Sequence, residues 1–183
     1  MEDLTADKEV LAFWFEQIEP KSWWAADAQF DQLVRNRFAE PLGRAGLGEC
    51  VGWRAEPRGR LAEIIVLDQF SRNIHRGTPR AFAQDVIALV LAQEAVAQNV
   101  HGILRPVERG FLFLPFMHSE SRVIHEVAES LYRDYGLEDN YKFELRHKAI
   151  IDRFGRYPHR NQILGRESTA EELEFLKQPG SSF

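Results

Sequence analysis

Apolar residues recur along the chain at intervals of three and four, the spacing of one face of an α-helix. Phe30, Leu33, Val34 and Phe38 give the clearest of these stripes. No segment shows sustained alternation of apolar and polar residues, and no Asn-Gly or Asp-Gly turn separates two strand-like runs. The pattern therefore predicts an all-α protein.

Proline and glycine suggest where the helices begin and end. A helix that begins at Pro57 is apolar nearly all round, so we expect it to lie buried at the centre of the fold. The glycine-rich stretch before it, residues 41–57, is predicted to be a loop. Thr78 and Pro79 are typical of a helix start. We expect a long helix from there to about residue 99, with an apolar stripe that includes Phe82, Val86, Leu89, Val90 and Val96.

The second half of the chain continues the helical pattern. The apolar run at residues 108–117 fits a helix or a buried strand, and Pro115 inside it favours a kinked helix or a helix boundary. Helices are also expected at residues 118–136 and 141–154. Thr169 and Glu172 form a capping box, which predicts the start of a last helix.

Composition narrows the class of protein. A chain of 183 residues with 44% hydrophobic residues is expected to form one soluble globular domain over residues 1–183. Its net charge of −5 argues against a nucleic-acid partner. The acidic start and the absence of long apolar runs argue against a signal peptide and a membrane. Cys50 is the only cysteine, so no intramolecular disulfide forms, and a cytoplasmic location is expected.

Charged and polar residues interrupt two of the predicted helix faces. Asp68 stands where the central helix should present an apolar residue, and Arg72, one turn later, is its expected partner. Further polar candidates are the i,i+4 pair Gln69 and Asn73, and the run His118, Ser119 and Glu120. These groups either form an ion-paired brace between helices or shape a ligand site.

The most basic part of the chain surrounds residues 154–161, Phe-Gly-Arg-Tyr-Pro-His-Arg-Asn. Between residues 146 and 166 there are six Lys and Arg residues against one acid, a local net charge of +5. Donors gathered on a constrained loop can hold an anion or a carbonyl group. They can equally tie the loop to its own helices. The candidate ligand-binding residues of this loop are Arg156, His159, Arg160 and Asn161.

Known catalytic and metal motifs are absent or incomplete. Glu144 and His147 match one Glu-x-x-His element of a di-iron bundle, but such a site needs two copies. His118 and His125 are seven residues apart, whereas zinc protease helices space their histidines by four. We therefore predict no metal and no cofactor.

Four of these motifs together resemble a known family. They are Val-Leu-Ala-Phe-Trp-Phe at residues 10–15, Leu-Asp-Gln-Phe-Ser-Arg-Asn at 67–73, Leu-Pro-Phe-Met-His-Ser-Glu at 114–120 and the basic loop at 154–161. The chain resembles, over nearly its whole length, a family of uncharacterised bacterial proteins with a domain of unknown function. The resemblance implies a tetratricopeptide-like fold of stacked antiparallel helix pairs, about seven to nine helices in all. It implies no activity, substrate or cofactor.

Three functional hypotheses follow. The first is a binding protein whose cleft, lined by Arg and His, receives an anionic small molecule or an acidic peptide end. The second is a hydrolase-type enzyme that uses His118 or His159 as a general base beside Asp68 or Glu120. The third is an interaction scaffold whose polar motifs are purely structural. The sequence does not predict an oligomeric state.

Overall fold

The computed structural model describes residues 6–182, and every regular element in that range is helical. The α-helices are α1 (Ala6–Ala12), α2 (Ala28–Gly46), α3 (Pro57–Ile65), α4 (Ser71–Ile74), α5 (Asp85–Ala97), α6 (Pro106–Met117), α7 (Arg122–Tyr135), α8 (Glu138–Phe154) and α9 (Ala170–Phe175). Two π-helical turns extend α1 (Phe13–Gln17) and join α3 to α4 (Val66–Phe70). Short 3-10 helices occupy Pro20–Trp24, Val51–Ala55, Pro79–Phe82, Val100–Gly102 and Pro158–Arg160. The all-α prediction is confirmed.

The continuous helix formed by α3, the π turn and α4 lies at the centre of the fold, as predicted. Leu61, Ile64, Leu67 and Phe70 are all fully buried. Helix α1 packs on α3, α2 packs on the π turn and α4, and α5 and α6 also pack on α3. Burying one such side chain contributes about 1.5–3 kcal/mol. The other helices are therefore organised around this one.

Helices α6, α7 and α8 follow one another through short connections and pack as neighbours. The apolar run around Pro115 is helical, and Pro115 lies in the last turn of α6. The predicted helix at 118–136 begins only at Arg122, because residues 118–121 form the connection from α6. Thr169 and Glu172 form the predicted capping box of α9. This stacking is compatible with a tetratricopeptide-like arrangement, which stays a prediction, as does the single domain.

The predicted loop at residues 41–57 is wrong in part, because α2 continues through Pro41 to Gly46. A proline inside a helix removes one main-chain hydrogen bond and costs about 3 kcal/mol or more. The turns around Pro41 bury Phe38, Leu42 and Ala45 against the core, which offsets that cost.

The predicted helix from Pro79 is also wrong at its start and in its buried face. Residues 79–82 form a 3-10 turn, and α5 begins at Asp85. Val86 and Val90 are 73% and 54% exposed, whereas the residues that α5 buries are alanines, namely Ala88, Ala92 and Ala95. Small side chains let a helix approach its neighbours closely, so α5 packs through alanines and exposes two valines.

No helix within residues 6–182 has the length and apolar character needed to cross a membrane. The prediction about a signal peptide depends largely on residues 1–5, which lie outside the described range.

Two glycines allow a matched test of this packing. A Cβ atom on Gly59 of α3 would lie 2.0 Å from the Trp53 carbonyl oxygen, whereas one on Gly43 of α2 would meet nothing within 4 Å. We expect Gly59→Ala to lower the free energy of unfolding by more than about 2 kcal/mol. Gly43→Ala should raise it by about 0.5–1 kcal/mol, because alanine favours the helix. Urea denaturation measures both, and equal effects would contradict the close packing of α3.

Candidate functional site

Asp68 is a buried carboxylate on the π turn between α3 and α4, and it is 1% exposed. Its Oδ1 lies 2.8 Å from Nδ1 of His118 and 3.1 Å from Nη1 of Arg72, and Gln69 donates to Oδ2 at 2.6 Å. Burial alone would raise the pKa of the Asp68 carboxyl, but Arg72 and His118 outweigh burial and hold that pKa well below its ordinary value. The predicted partner of Asp68, Arg72, is therefore present, and Asp68 is ionised at neutral pH.

Arg72 connects the central helix to α5. Its Nη1 and Nη2 donate to the two carboxylate oxygens of Asp85 at 2.9 and 3.0 Å, and Nη1 also donates to the main-chain carbonyl of Asp68 at 2.8 Å. Bidentate pairs of this kind fix orientation as well as distance. Arg72 thus lies between two carboxylates and fixes the position of α5 relative to α4.

His118 is the C-cap residue that directly follows α6. An ionised carboxylate only accepts hydrogen bonds, so Nδ1 of His118 carries the proton that Asp68 accepts. Burial first, and then the charge of Arg72, lower the pKa of His118 below its ordinary value. The imidazole is therefore neutral at pH 7, and Nε2 is an acceptor. No hydrogen bond from a residue in the described range reaches Nε2. Nε2 is also not one of the fully buried side-chain atoms that lack a partner, so it is open to solvent.

Arg160 is a charged group whose hydrogen bonds are poorly satisfied. It is 6% exposed, and its guanidinium carbon lies 4.7 Å from the ring centroid of Phe82 and 4.6 Å from that of Tyr157. Within residues 6–182, its hydrogen bonding consists of one long contact, from Nη1 to Oδ2 of Asp85 at 3.3 Å. Its Nε is buried without a partner there. Burial, followed by the charge of Arg72, lowers the pKa of Arg160.

A cavity of about 320 Å³ opens beside these groups. Its polar wall consists of Asp85, His118, Ser119, Glu120 and Arg160. The remaining wall is apolar and comes from Pro79, Phe82, Ala83, Val86 and Leu89, together with Pro115 and Leu164. The 3-10 turn before α5, the first turns of α5, the end of α6 and the basic loop therefore meet at one concavity.

The predicted site residues fall into three groups. The cavity is lined by four of them: His118, Ser119, Glu120 and Arg160. Three lie directly behind its wall: Asp68, Gln69 and Arg72. The other four lie elsewhere: Asn73, Arg156, His159 and Asn161.

Two arginines that flank Arg160, one in the basic loop and one just after it, are held by acids, so they fix the loop to the rest of the protein. Arg156 donates to both oxygens of Glu172 at 2.6 and 2.8 Å. Arg166 does the same to Glu120, also at 2.6 and 2.8 Å, and the main-chain N–H of Tyr157 donates to Glu120 at 2.7 Å. The predicted alternative that the loop ties itself to helices therefore describes Arg156, whereas Arg160 faces the cavity.

Two further predicted residues have partners outside the cavity. Asn161 donates to Ser168 at 3.0 Å, in the connection between the basic loop and α9. Asn73 donates to Asp31 at 2.8 Å, so it forms no pair with Gln69. The π turn explains this second difference, because it inserts an extra residue into the helical repeat and rotates the residues that follow.

His159 lines a second, open groove of about 680 Å³, together with Arg166, Glu167 and Ser168. Burial and the charge of Arg160 lower the pKa of His159 to about 4. Among residues 6–182, no group of three or more His, Cys, Asp or Glu side chains is placed to hold a metal ion.

Comparison with known proteins identifies the family. Residues 10–180 match the bacterial proteins of unknown function grouped as DUF924. The chain belongs to the DUF924 family. A solved structure of a protein of unknown function from Agrobacterium tumefaciens is 35% identical, with a TM-score of 0.89 over 94% of this chain and 98% of that chain. No curated protein matches.

Several residues that build this DUF924 cavity were not predicted. Asp85 and Phe82 lie where the sequence predicted a continuous helix from Pro79, and no local pattern indicated that they contact Arg72 and Arg160. His125 and Glu144 form a fully buried pair, with Nδ1 and Oε1 2.7 Å apart, and burial raises the pKa of Glu144. Nε2 of His125 donates to the Ser119 carbonyl at 2.8 Å and so holds the cavity wall in place. The sequence offered one signal for this pair: both residues stand on predicted helices among apolar residues at helical spacing.

If the contact between Arg156 and Glu172 fixes the loop, Glu172→Gln should lower the free energy of unfolding in a pH-dependent way. The hydrogen bond from Arg156 lowers the pKa of Glu172 to about 2, against about 4.3 for an unfolded glutamate. The stabilisation is therefore complete above about pH 5 and disappears as the pH falls towards 2. We expect Glu172→Gln to cost about 2 kcal/mol at pH 7, with a difference from wild type that shrinks below about pH 4. Chemical denaturation at several pH values measures this difference.

The matched control is the exposed neighbour Glu171, which pairs with Arg153 at the surface. Glu171→Gln should change stability by less than about 1 kcal/mol at every pH. Equal effects of the two substitutions would contradict a brace at Glu172.

Proposed function

We propose that this DUF924 protein binds an anionic small molecule or an acidic peptide end in the cavity beside Arg160. The observation that carries the proposal is the state of that guanidinium: it is buried and lines a cavity, and its one hydrogen bond within the described range is long. A guanidinium has five N–H donors, and leaving buried donors unsatisfied costs about 1–3 kcal/mol each. The oxygens of an anion would satisfy donors that the protein leaves open.

The neighbouring groups support the same location. Asp85 is already engaged through both oxygens by Arg72, and Glu120 is engaged through both oxygens by Arg166. Both acids therefore have their shorter hydrogen bonds with other arginines, and Asp85 gives Arg160 only the contact at 3.3 Å. The rings of Phe82 and Tyr157 restrict the guanidinium, which reduces the entropy that binding would cost.

The wider setting of this proposal follows from composition. We propose a cytoplasmic protein of tetratricopeptide-like architecture that works without a cofactor, a nucleic acid or a membrane. The burial of Cys50, whose pKa is raised to about 11 by burial first and then by Glu63, is consistent with a thiol that takes no part in chemistry.

The test compares wild type with Arg160→Gln and with the matched control Arg156→Gln. Both variants remove a guanidinium from the same loop, but Arg156 contacts Glu172 and does not line the cavity. Native mass spectrometry of the purified proteins should detect a small anion in wild type and in Arg156→Gln. The anion should be lost, or retained at least tenfold less, in Arg160→Gln, because a charged hydrogen bond contributes about 1.5–3 kcal/mol.

Retention of the same molecule by all three proteins would remove Arg160 from the proposal. The absence of any bound molecule, together with loss of stability in Arg160→Gln, would favour the scaffold hypothesis, in which the polar motifs are purely structural.

A second candidate function is hydrolysis with His118 as the general base. The contact between Asp68 and Nδ1 of His118 favours it, because a carboxylate there fixes the tautomer that leaves Nε2 as a proton acceptor. No protein hydroxyl among residues 6–182 hydrogen-bonds Nε2, so the base would act on water. Glu120 is committed to Arg166, and His159 lies in the other groove. The pair Asp68 and His118 is therefore the better supported of the predicted alternatives.

This candidate is tested with p-nitrophenyl butyrate as a general ester probe. In the step considered, water adds to the ester carbonyl while Nε2 of His118 takes a water proton, and the C–O bond to nitrophenolate then breaks. His118→Gln should reduce kcat/KM by about 100-fold or more, since general-base catalysis contributes about that factor. His159→Gln should leave the rate unchanged. A rate in wild type no higher than in His118→Gln would exclude esterase chemistry at this histidine.

A further inference from the structure

We infer that the ligand of this cavity is a monocarboxylate with a compact apolar body, rather than a phosphate or a purely polar anion. The inference rests on the proposed function, since it takes Arg160 as the group that meets the anionic head. It adds the chemical class of the rest of the molecule.

The cavity wall is divided by chemistry. Arg160, His118 and Ser119 stand on its polar side, whereas Phe82, Val86, Leu89, Pro115 and Leu164 supply an apolar surface. A ligand that filled only the polar side would leave that surface against water. Transfer of each methylene from water to such a surface contributes about 0.8 kcal/mol, close to a fourfold gain in affinity.

The size of the cavity limits how much of an apolar body it can enclose. A volume of about 320 Å³ corresponds to roughly ten water molecules, at about 30 Å³ each. A carboxylate with a short aliphatic chain or one ring has about that number of non-hydrogen atoms. Nucleotides and long acyl chains exceed it.

The charges around the polar wall favour a single negative charge. The cluster holds three cations (Arg72, Arg160 and Arg166) and three carboxylates (Asp68, Asp85 and Glu120), so it is neutral while His118 is neutral. One added negative charge can be balanced by a proton on His118. A phosphate dianion would leave an uncompensated charge beside two carboxylates, which is costly in a partly buried site.

Proton uptake by His118 gives this inference a distinct readout. The ring faces Asp68 and Arg72 from the central helix and Asp85 from α5. It is also within electrostatic range of His147 of α8 and His159 of the basic loop, whose charged forms burial disfavours. An anion placed at Arg160 would favour the imidazolium form. By linkage, a ligand that raises the pKa of His118 must bind more tightly as the pH falls.

The experiment is isothermal titration of the whole protein with four probes: hexanoate, acetate, hexanamide and inorganic phosphate. Hexanoate should bind most tightly. Acetate, which lacks four methylenes, should bind more than about tenfold more weakly. Hexanamide, which has the same shape without the charge, should also lose about tenfold or more. Phosphate should bind most weakly. Hexanoate affinity should rise as the pH falls towards the lowered pKa of His118 in the free protein, with proton uptake visible as a buffer-dependent heat.

Two valines of α5 give matched variants for the apolar wall. Val86 lines the cavity and Val90, one turn later, does not, yet both are exposed, so neither substitution threatens the fold. Val86→Asn should weaken hexanoate binding by about three- to tenfold and leave acetate binding unchanged. Val90→Asn should bind both probes as wild type does.

The outcomes separate this inference from the proposed function. If acetate or phosphate binds as well as hexanoate and Arg160→Gln abolishes that binding, the proposal of an anion site at Arg160 is supported. The inference that the ligand has an apolar body is then wrong. If hexanoate and hexanamide bind equally and Arg160→Gln changes neither, the anion site itself is wrong. If hexanoate does not bind at concentrations up to about 10 mM, the monocarboxylate class is overturned.

Discussion

The burial of the Asp68 charge is the constraint on which the site depends. An ionised carboxylate removed from water is stable only when several donors surround it. It accepts hydrogen bonds from Gln69 of its own helix and from His118, which follows the last residue of α6, and it forms an ion pair with Arg72. Arg72 also takes both oxygens of Asp85 on α5. One buried charge therefore fixes the relative positions of three helices at the wall of the cavity.

The same pairing explains why Arg160 has donors to spare. Arg72 has the better geometry on Asp85, at 2.9 and 3.0 Å, which leaves Arg160 one contact at 3.3 Å. The cluster is neutral when its ion pairs are counted, so the anion binding that we propose does not depend on an excess of positive charge. It depends on hydrogen-bond donors of Arg160 that the described residues leave unsatisfied. A site of this proposed kind would select for shape and proton content rather than for charge alone.

The sequence predicted those parts of the structure that depend on local spacing. Apolar periodicity gave the helical class and the buried central helix, and the i,i+4 interval gave the contact between Asp68 and Arg72. The π turn could not be predicted from spacing, because its inserted residue changes the 3.6-residue repeat that these predictions assume. The alanine face of α5 was missed for a related reason. Hydropathy ranks valine above alanine, whereas close helix packing favours the smaller side chain.

Long-range pairing decided what the basic loop does, and no local pattern encodes it. Glu120 lies 46 positions from Arg166 and Asp85 lies 75 positions from Arg160. The local charge of +5 over residues 146–166 suggested one anion-binding surface, but acids elsewhere in the chain neutralise some of these arginines and not others. Two of them, Arg156 in the loop and Arg166 just after it, fix the loop against Glu172 and Glu120. Because they hold the backbone on both sides of Arg160, that residue keeps its buried position without full hydrogen bonding of its own. The same set of ion pairs thus fixes the loop and leaves the hydrogen-bond donors of Arg160 unsatisfied.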